Sequence, residues 1–479
     1  MTGPRSAQVL GALICVASLV QPAGIQSASA LPQPAIDPGL VPPDGPPGPE
    51  QAMRQSNLCA EAVAVASPDL AQASPGFTML DIATAWRYSM GSGVSVGVID
   101  TGVTPHEGLQ VSAGGDYVAG GDGLQDCDAH GTIVASVIGA APRTTDWPSL
   151  VGSARLDLLD GAVGVAPRAT IVSIRQSSRA YEASDPGHGD AEARRKAGTV
   201  STLARAVVHA ANLGVKVLNV SVASCTAAAD PADQGVLGAA VWYAATVKDV
   251  VIVAAAGNEG EDGCVQNPTG GALRQSDPRD WEGVRTVSSP SVFSDYVLSV
   301  GAVDPGGAPV ERSLAGPWVR VAAPGTEIIG LSPRTGEPVN AYPPRRLGEP
   351  PVPIWGTSFA AAYVSGVAAL VRSRYPQLKA QQVIERILRT AHNPPAGADN
   401  RIGFGVVDPV SALTFELTPF PGTAEFPSTR VMTPPTEPAP ADRRPRQFAL
   451  GIIGLVVAGA ILAAAIAQAR KARKPEKAL

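Results

Sequence analysis

A chain of 479 residues that is 45% hydrophobic and 16% charged can bury a sizeable core, and it is not a disordered polyelectrolyte. Its formal net charge of −5 carries none of the basic footprint that a nucleic-acid partner requires. The prolines crowd into 32–49 and 417–445, so those stretches read as linkers on either side of a folded body.

In chain order, Arg5, the apolar run Val9–Val20 and the sequence Ala28-Ser29-Ala30 predict a signal peptide over residues 1–30, cleaved after Ala30. The apolar run is short for a bilayer, which favours cleavage over anchoring. A Pro-rich extension follows over 31–75, irregular at least to residue 55. The main domain is expected at 76–415. Its strand-like runs are Val94–Ile99, Ala169–Ile174, Val215–Val222, Val250–Ala255, Val297–Val303 and Trp318–Ala322. Helical patterns lie between and after them, at Thr132–Ile138, Thr202–Leu213, Gly235–Thr246, Ser358–Tyr375 and Lys379–Thr390. This alternation predicts an α/β fold, a mostly parallel sheet with helices on both faces. Long loops at 142–161, 176–200, 261–291 and 331–353 are either contact surfaces or tolerated insertions.

Beyond a Pro-rich linker at 416–447, Phe448–Ala467 is uncharged and long enough for a transmembrane helix. The tail 468–479, with Arg470, Lys471, Arg473, Lys474 and Lys477, is then cytoplasmic. Arg443, Arg444 and Arg446 weaken the charge asymmetry, so the signal peptide sets the direction: body outside, tail inside. Cys15 would leave with the signal peptide. The remaining Cys59, Cys127, Cys225 and Cys264 predict two disulfides in an exported chain, with three pairings open.

Four settings carry chemistry. Asp100 ends an apolar strand in V-I-D-T-G-V, at the sheet edge where α/β clefts form. His130 opens a small-residue helix in H-G-T-I-V-A, and Ser358 opens an apolar helix in G-T-S-F-A-A. A serine hydroxyl is nearly inert until a histidine takes its proton and a carboxylate holds that histidine. The N-terminus of the second helix supplies N–H groups and positive potential beside a developing anion. Asn258, in A-A-A-G-N-E-G after another apolar strand, is the candidate second oxyanion donor. No metal-ligand spacing joins His106, His188, His209 or His392 to cysteine, so no metal and no cofactor is expected.

These four motifs in the order Asp, His, Ser resemble the subtilase family, over residues from about 76 to 415. The resemblance implies a subtilisin-like peptidase domain, with Ser358 as nucleophile, His130 as base and then acid, and Asp100 as orienting carboxylate. It implies an oxyanion hole from Asn258 and the Ser358 N–H. It also gives Ser221, Val222 and Ala223 as the strand that pairs with substrate backbone. It implies that Ala255, Ala256 and Gly257 form the opposite wall of the specificity pocket. One departure is Ala362, where the family usually has proline. The signal peptide, the D-C-D-A-H-G-T context and the anchor with its basic tail further resemble the mycosins, membrane-anchored subtilases of actinobacterial type VII secretion systems. That resemblance pairs Cys59 with Cys127, leaving Cys225 with Cys264. It implies a single-pass cell-membrane enzyme with its peptidase domain outside the cytoplasm. Its expected partners are protein or peptide substrates and the secretion membrane complex, which it would also stabilise. Two alternatives are a general degradative subtilase and a scaffold whose peptidase activity is dispensable.

Overall fold

The apolar runs become one sheet. A computed structural model describes residues 36–143, 161–185, 196–229, 234–269, 281–344, 346, 348–395 and 397–417, then 455, 458–467 and 469. The chain divides into two units, Met1–Glu416 and Leu417–Leu479. In the first unit the strands are β1 (Ser95–Asp100), β2 (Val111–Asp116), β3 (Thr170–Arg175), β4 (Val217–Val220), β5 (Val251–Ala255), β6 (Val297–Val303) and β7 (Val319–Pro324). They lie in the order β7-β6-β5-β4-β1-β3-β2, and every neighbouring pair is parallel. The expected α/β architecture, a mostly parallel sheet, is therefore present.

Alternation along the strands explains why the runs are continuously apolar. Val251, Val253 and Ala255 of β5 face one hydrophobic layer, and Ile252 and Ala254 face the other. The first layer packs against α1 (Gly131–Gly139), α4 (Thr357–Arg374) and α5 (Ala380–Thr390). The second packs against α2 (Val200–Asn212) and α3 (Gly235–Trp242). The chain leaves β1 for the β3 side and leaves β4 for the β5 side. The crevice at the carboxyl ends of β1 and β4 is thus the switch point of the sheet.

Several boundaries differ from the sequence reading. The run Val215–Val222 is a strand only over Val217–Val220, and beyond it the Ser221 carbonyl turns to accept from the Ser358 hydroxyl. The run Gly235–Thr246 is α-helical to Trp242 and then widens into a π turn, Tyr243–Val247. The expected loop 176–200 contains a strand, Ser178–Ala183, and the loop 331–353 contains two short hairpins. Residues 144–160, the expected signal peptide 1–30 and all but the first two residues of the expected linker 416–447 lie outside the described residues.

The extension lies along the body through specific bonds. Asp44 accepts from His209 Nδ1 and Asn212 Nδ2, both at 2.8 Å on α2. Arg205 donates to the carbonyls of Pro46 and Gly48. Met53–Gln55 is a strand antiparallel to Ser178–Ala183, and the Val63 N–H donates to the Ala341 carbonyl at 2.7 Å. The described residues of the second unit include 458–467, which are helical and exposed. Among the described residues no helix is long and apolar enough to cross a membrane, and 448–454 and 456–457 lie outside them.

Disulfides join Cys59 to Cys127, 68 residues apart, and Cys225 to Cys264. Closing the longer loop restricts the unfolded chain and holds the extension beside His130. Replacing both Cys59 and Cys127 by Ser is expected to lower stability by about 2–4 kcal/mol. Denaturant unfolding of the double variant against the parent measures it.

Candidate active site

The site begins where β1 runs out. Asp100 is the last strand residue and is 1% exposed. Its Oδ1 accepts from the Thr101 N–H and from His130 Nδ1, each at 2.7 Å. The Nδ1 proton therefore points at Asp100, and Nε2 carries the free lone pair of the neutral ring. Two glycines let the turns meet. Gly102 has φ +98°, and a Cβ there would lie 2.1 Å from the Gln125 carbonyl oxygen. A Cβ on Gly131 would lie 2.1 Å from the Gly102 carbonyl oxygen.

Thr101 ties the two turns together. Its hydroxyl accepts from the Gly131 N–H and donates to Asp126 Oδ1, both at 2.9 Å. Asp126 also accepts from the N–H groups of Thr132 and Asp128. Burial pushes the Asp126 carboxyl up to about 6, against these hydrogen bonds. Burial pushes the His130 imidazole down, but the charge of Asp100 and its hydrogen bond outweigh that and hold it above its ordinary value.

Ser358 arrives on α4, from the same face of the sheet as α1. It sits in the first turn of α4, a helix buried from Thr357 to Arg372, and is 6% exposed. His130 lies against this helix start, its ring centroid 5.2 Å from that of Phe359. The Ser358 hydroxyl donates to the Ser221 carbonyl at 3.1 Å. Ser221 Oγ accepts from Asn219 Nδ2 at 2.7 Å. Asn258 Oδ1 accepts from the N–H and hydroxyl of Thr357, at 3.0 and 3.1 Å. The Gly257 N–H donates to the same hydroxyl at 3.2 Å.

Asp100, His130, Ser358, Asn258 and Ser221 thus border one crevice. Val222 and Ala223 follow Ser221 half-buried. Ala256 is fully buried and its N–H donates to the Val300 carbonyl, so its stretch offers backbone rather than side chain. His209 and His392 lie elsewhere, beside Asp44 and Asp408, and His188 is outside the described residues. Among the described residues no group of three or more His, Cys, Asp or Glu side chains could hold a metal ion.

Three residues of the site were missed by sequence reasoning. Asp126 stands four before His130, a visible position whose role depends on contacts with Thr101. Tyr342, from the hairpin of the long loop, donates its hydroxyl to the Ala129 carbonyl at 3.3 Å. Glu261 accepts from Asn258 Nδ2 at 3.3 Å, and only its spacing of three from Asn258 could have drawn notice.

Comparison with known proteins gives the family of the chain. Residues 91–405 match the model of the subtilase family. Mycosin-2 of Mycobacterium tuberculosis (strain ATCC 25618 / H37Rv) is 49% identical, covering 98% of this chain and 98% of its own. The crystal structure of MycP1 from the ESX-1 type VII secretion system superposes with a TM-score of 0.73 at 43% identity, covering 81% of this chain and 97% of that one. A chain in the structure of an intact ESX-5 inner membrane complex gives a TM-score of 0.75 at 46% identity, covering 91% and 100%.

The Asp100 contact should be visible in the imidazole titration. NMR of ring nitrogens is expected to place the His130 midpoint above the ordinary value of about 6.5. Replacing Asp100 by Asn removes the main opposition to burial and moves that midpoint below the parent's.

Proposed function

Given that this chain belongs to the subtilase family, and within it to the mycosins, we propose that it is an extracytoplasmic, membrane-anchored serine endopeptidase of type VII secretion that uses Asp100, His130 and Ser358. As a subtilase it is a serine endopeptidase. The observation that supports the residue assignment is the 2.7 Å bond from His130 Nδ1 to buried Asp100, which leaves Nε2 free on a ring 5.2 Å from that of Phe359, the residue after Ser358.

The reaction follows from that geometry. Rotation about the Ser358 side chain turns its hydroxyl from the Ser221 carbonyl to His130 Nε2. His130 takes the proton as Ser358 Oγ attacks the scissile carbonyl carbon, and Asp100 stabilises the imidazolium. The oxyanion is met by the Ser358 N–H at the α4 terminus and by the Asn258 amide. His130 then gives its proton to the leaving amine. Water hydrolyses the acyl-enzyme by the same route in reverse. Substrate backbone lies along Ser221, Val222 and Ala223, opposite Ala256 and Gly257. Because the His130 imidazole must be neutral to act as base, and its titration is raised, activity should fall on the acid side of that raised midpoint.

A second role is favoured by the likeness to a chain of an intact ESX-5 inner membrane complex over 91% of this sequence. On this reading the protein is also a structural component of such a complex, processing secreted proteins at its outer face. The extension then stays in place after export, held by Cys59 and the α2 contacts.

Replacing Ser358 or His130 by Ala should lower kcat by roughly 10⁴- to 10⁶-fold on a peptide substrate, and Asn258→Ala by about 10²- to 10³-fold. Retention of kcat by either of the first two removes the triad assignment. In cells, secretion that survives Ser358→Ala but not deletion of the chain separates the structural role from catalysis.

The anchor is tested independently. Residues 448–467 are uncharged and suffice for one crossing. Added protease should release the body from intact spheroplasts and leave a small C-terminal fragment with the membrane. Full protection of the body would contradict the orientation.

A further inference from the structure

Asn258 and Glu261 belong to one wound loop. The Glu261 N–H donates to the Asn258 carbonyl at 3.1 Å, the Cys264 N–H to the Glu261 carbonyl at 2.8 Å, and the Gly260 N–H to the Cys264 carbonyl at 2.9 Å. Gly260 and Gly263 at φ +82° and +80°, with Asp262 at φ +48°, permit the winding. Cys264 is then tied to Cys225. The result turns the Glu261 carboxylate back over Asn258, whose Nδ2 donates to Oε2 at 3.3 Å.

The same Oε2 faces Arg179 across the crevice, 3.8 Å from a guanidinium nitrogen. The Arg179 backbone is fixed to the His130 side. Its N–H donates to Asp128 Oδ1 at 2.6 Å, and its carbonyl accepts from Asn57 Nδ2 at 3.0 Å. Asp128 is two residues before His130. The Arg179 side chain is 78% exposed and that of Glu261 is 37% exposed. The ion pair therefore spans the two walls of the cleft and is open to screening by salt.

We propose that Glu261 is a charge latch on the oxyanion donor: its carboxylate competes with the oxyanion for the Asn258 amide, and Arg179 offsets that competition. This rests on the assignment of Asn258 and Ser358 above. Oxyanion donors sit about 2.7–3.1 Å from the oxygen they stabilise. An oxyanion on Asn258 and the Glu261 oxygen would share one nitrogen and lie within about 6 Å of each other. The substrate carbonyl carries no full charge in the ground state, so the repulsion falls on the transition state and should appear in kcat rather than KM. Arg179 opposes the effect by drawing the carboxylate toward the His130 wall. The latch thus restrains acylation without touching the nucleophile or its base.

The test uses the full chain in detergent with a peptide substrate and a peptide aldehyde, whose adduct with Ser358 carries the same oxyanion. Glu261→Gln removes the charge and keeps the shape. It is expected to raise kcat about 5- to 30-fold, within the range one oxyanion contact commands. KM and the unfolding midpoint should stay as in the parent, and the aldehyde should bind more tightly. Glu261→Ala should act in the same direction. Arg179→Ala should lower kcat, and the double variant Arg179→Ala/Glu261→Gln should match Glu261→Gln alone. An unchanged or lowered kcat in Glu261→Gln, with unchanged aldehyde affinity, overturns the latch if Asn258→Ala still loses its 10²- to 10³-fold. If Asn258→Ala loses nothing, the oxyanion assignment falls first and the latch with it.

Discussion

Gly131 packs against the Gly102 carbonyl so closely that a Cβ would lie 2.1 Å from its oxygen. This contact between two backbone turns sets the geometry of the cleft. It brings the residue before Gly131 to the end of β1, where the Asp100 carboxylate waits 2.7 Å from Nδ1. Thr101 and Asp126 then close the gap with side-chain bonds. Any side chain at 131 would force the turns apart, and the His130 ring would lose its orientation before it lost its chemistry.

The other half of the cleft depends on α4, which packs along one face of the sheet. Its burial from Thr357 to Arg372 leaves the helix no freedom to slide. Its first turn is clamped by Asn258 Oδ1 on Thr357 and by Ser221 on Ser358. The position where a proline is common among subtilases is Ala362, fully buried here. Packing against the surrounding layer holds the helix start without the fixed φ that proline would bring. Two rigid halves therefore meet at a crevice that the strand order had already placed.

Much of this was legible from residues alone. The six apolar runs all became strands of the parallel sheet, because a sheet covered on both faces needs residues that are apolar at every position. Asp100 and Asn258 were visible because each follows such a run, and His130 and Ser358 because each opens a helix of small or apolar residues. What stayed hidden depends on contacts distant in sequence. Met53–Gln55 has no strand pattern of its own and pairs only because Ser178–Ala183 offers an edge. Tyr342 looks like an ordinary loop aromatic until the hairpin carries it to Ala129. Glu261 is one acid among several in a charged loop, and only the wound backbone turns it toward Asn258. The cysteines fixed that two bridges were available, while the pairing came from resemblance and was then seen in the folded chain.

The strand order also governs how the chain reaches this state. β1 forms early in the chain, yet its two hydrogen-bonded neighbours are β3 and β4, so that Val96 must find Ile171 on one side and Val217 on the other. The extension is still further from its partners, since Asp44 binds His209 and Val63 binds Ala341. Contacts of such long sequence separation cost loop-closure entropy before they return any stabilisation. No stable sheet centre exists until most of the first unit has been made, and slow, concerted acquisition of structure is the kinetic consequence. Until β4 is made, β1 lacks one of its two neighbours, and the incomplete sheet is exposed to aggregation and proteolysis in that interval.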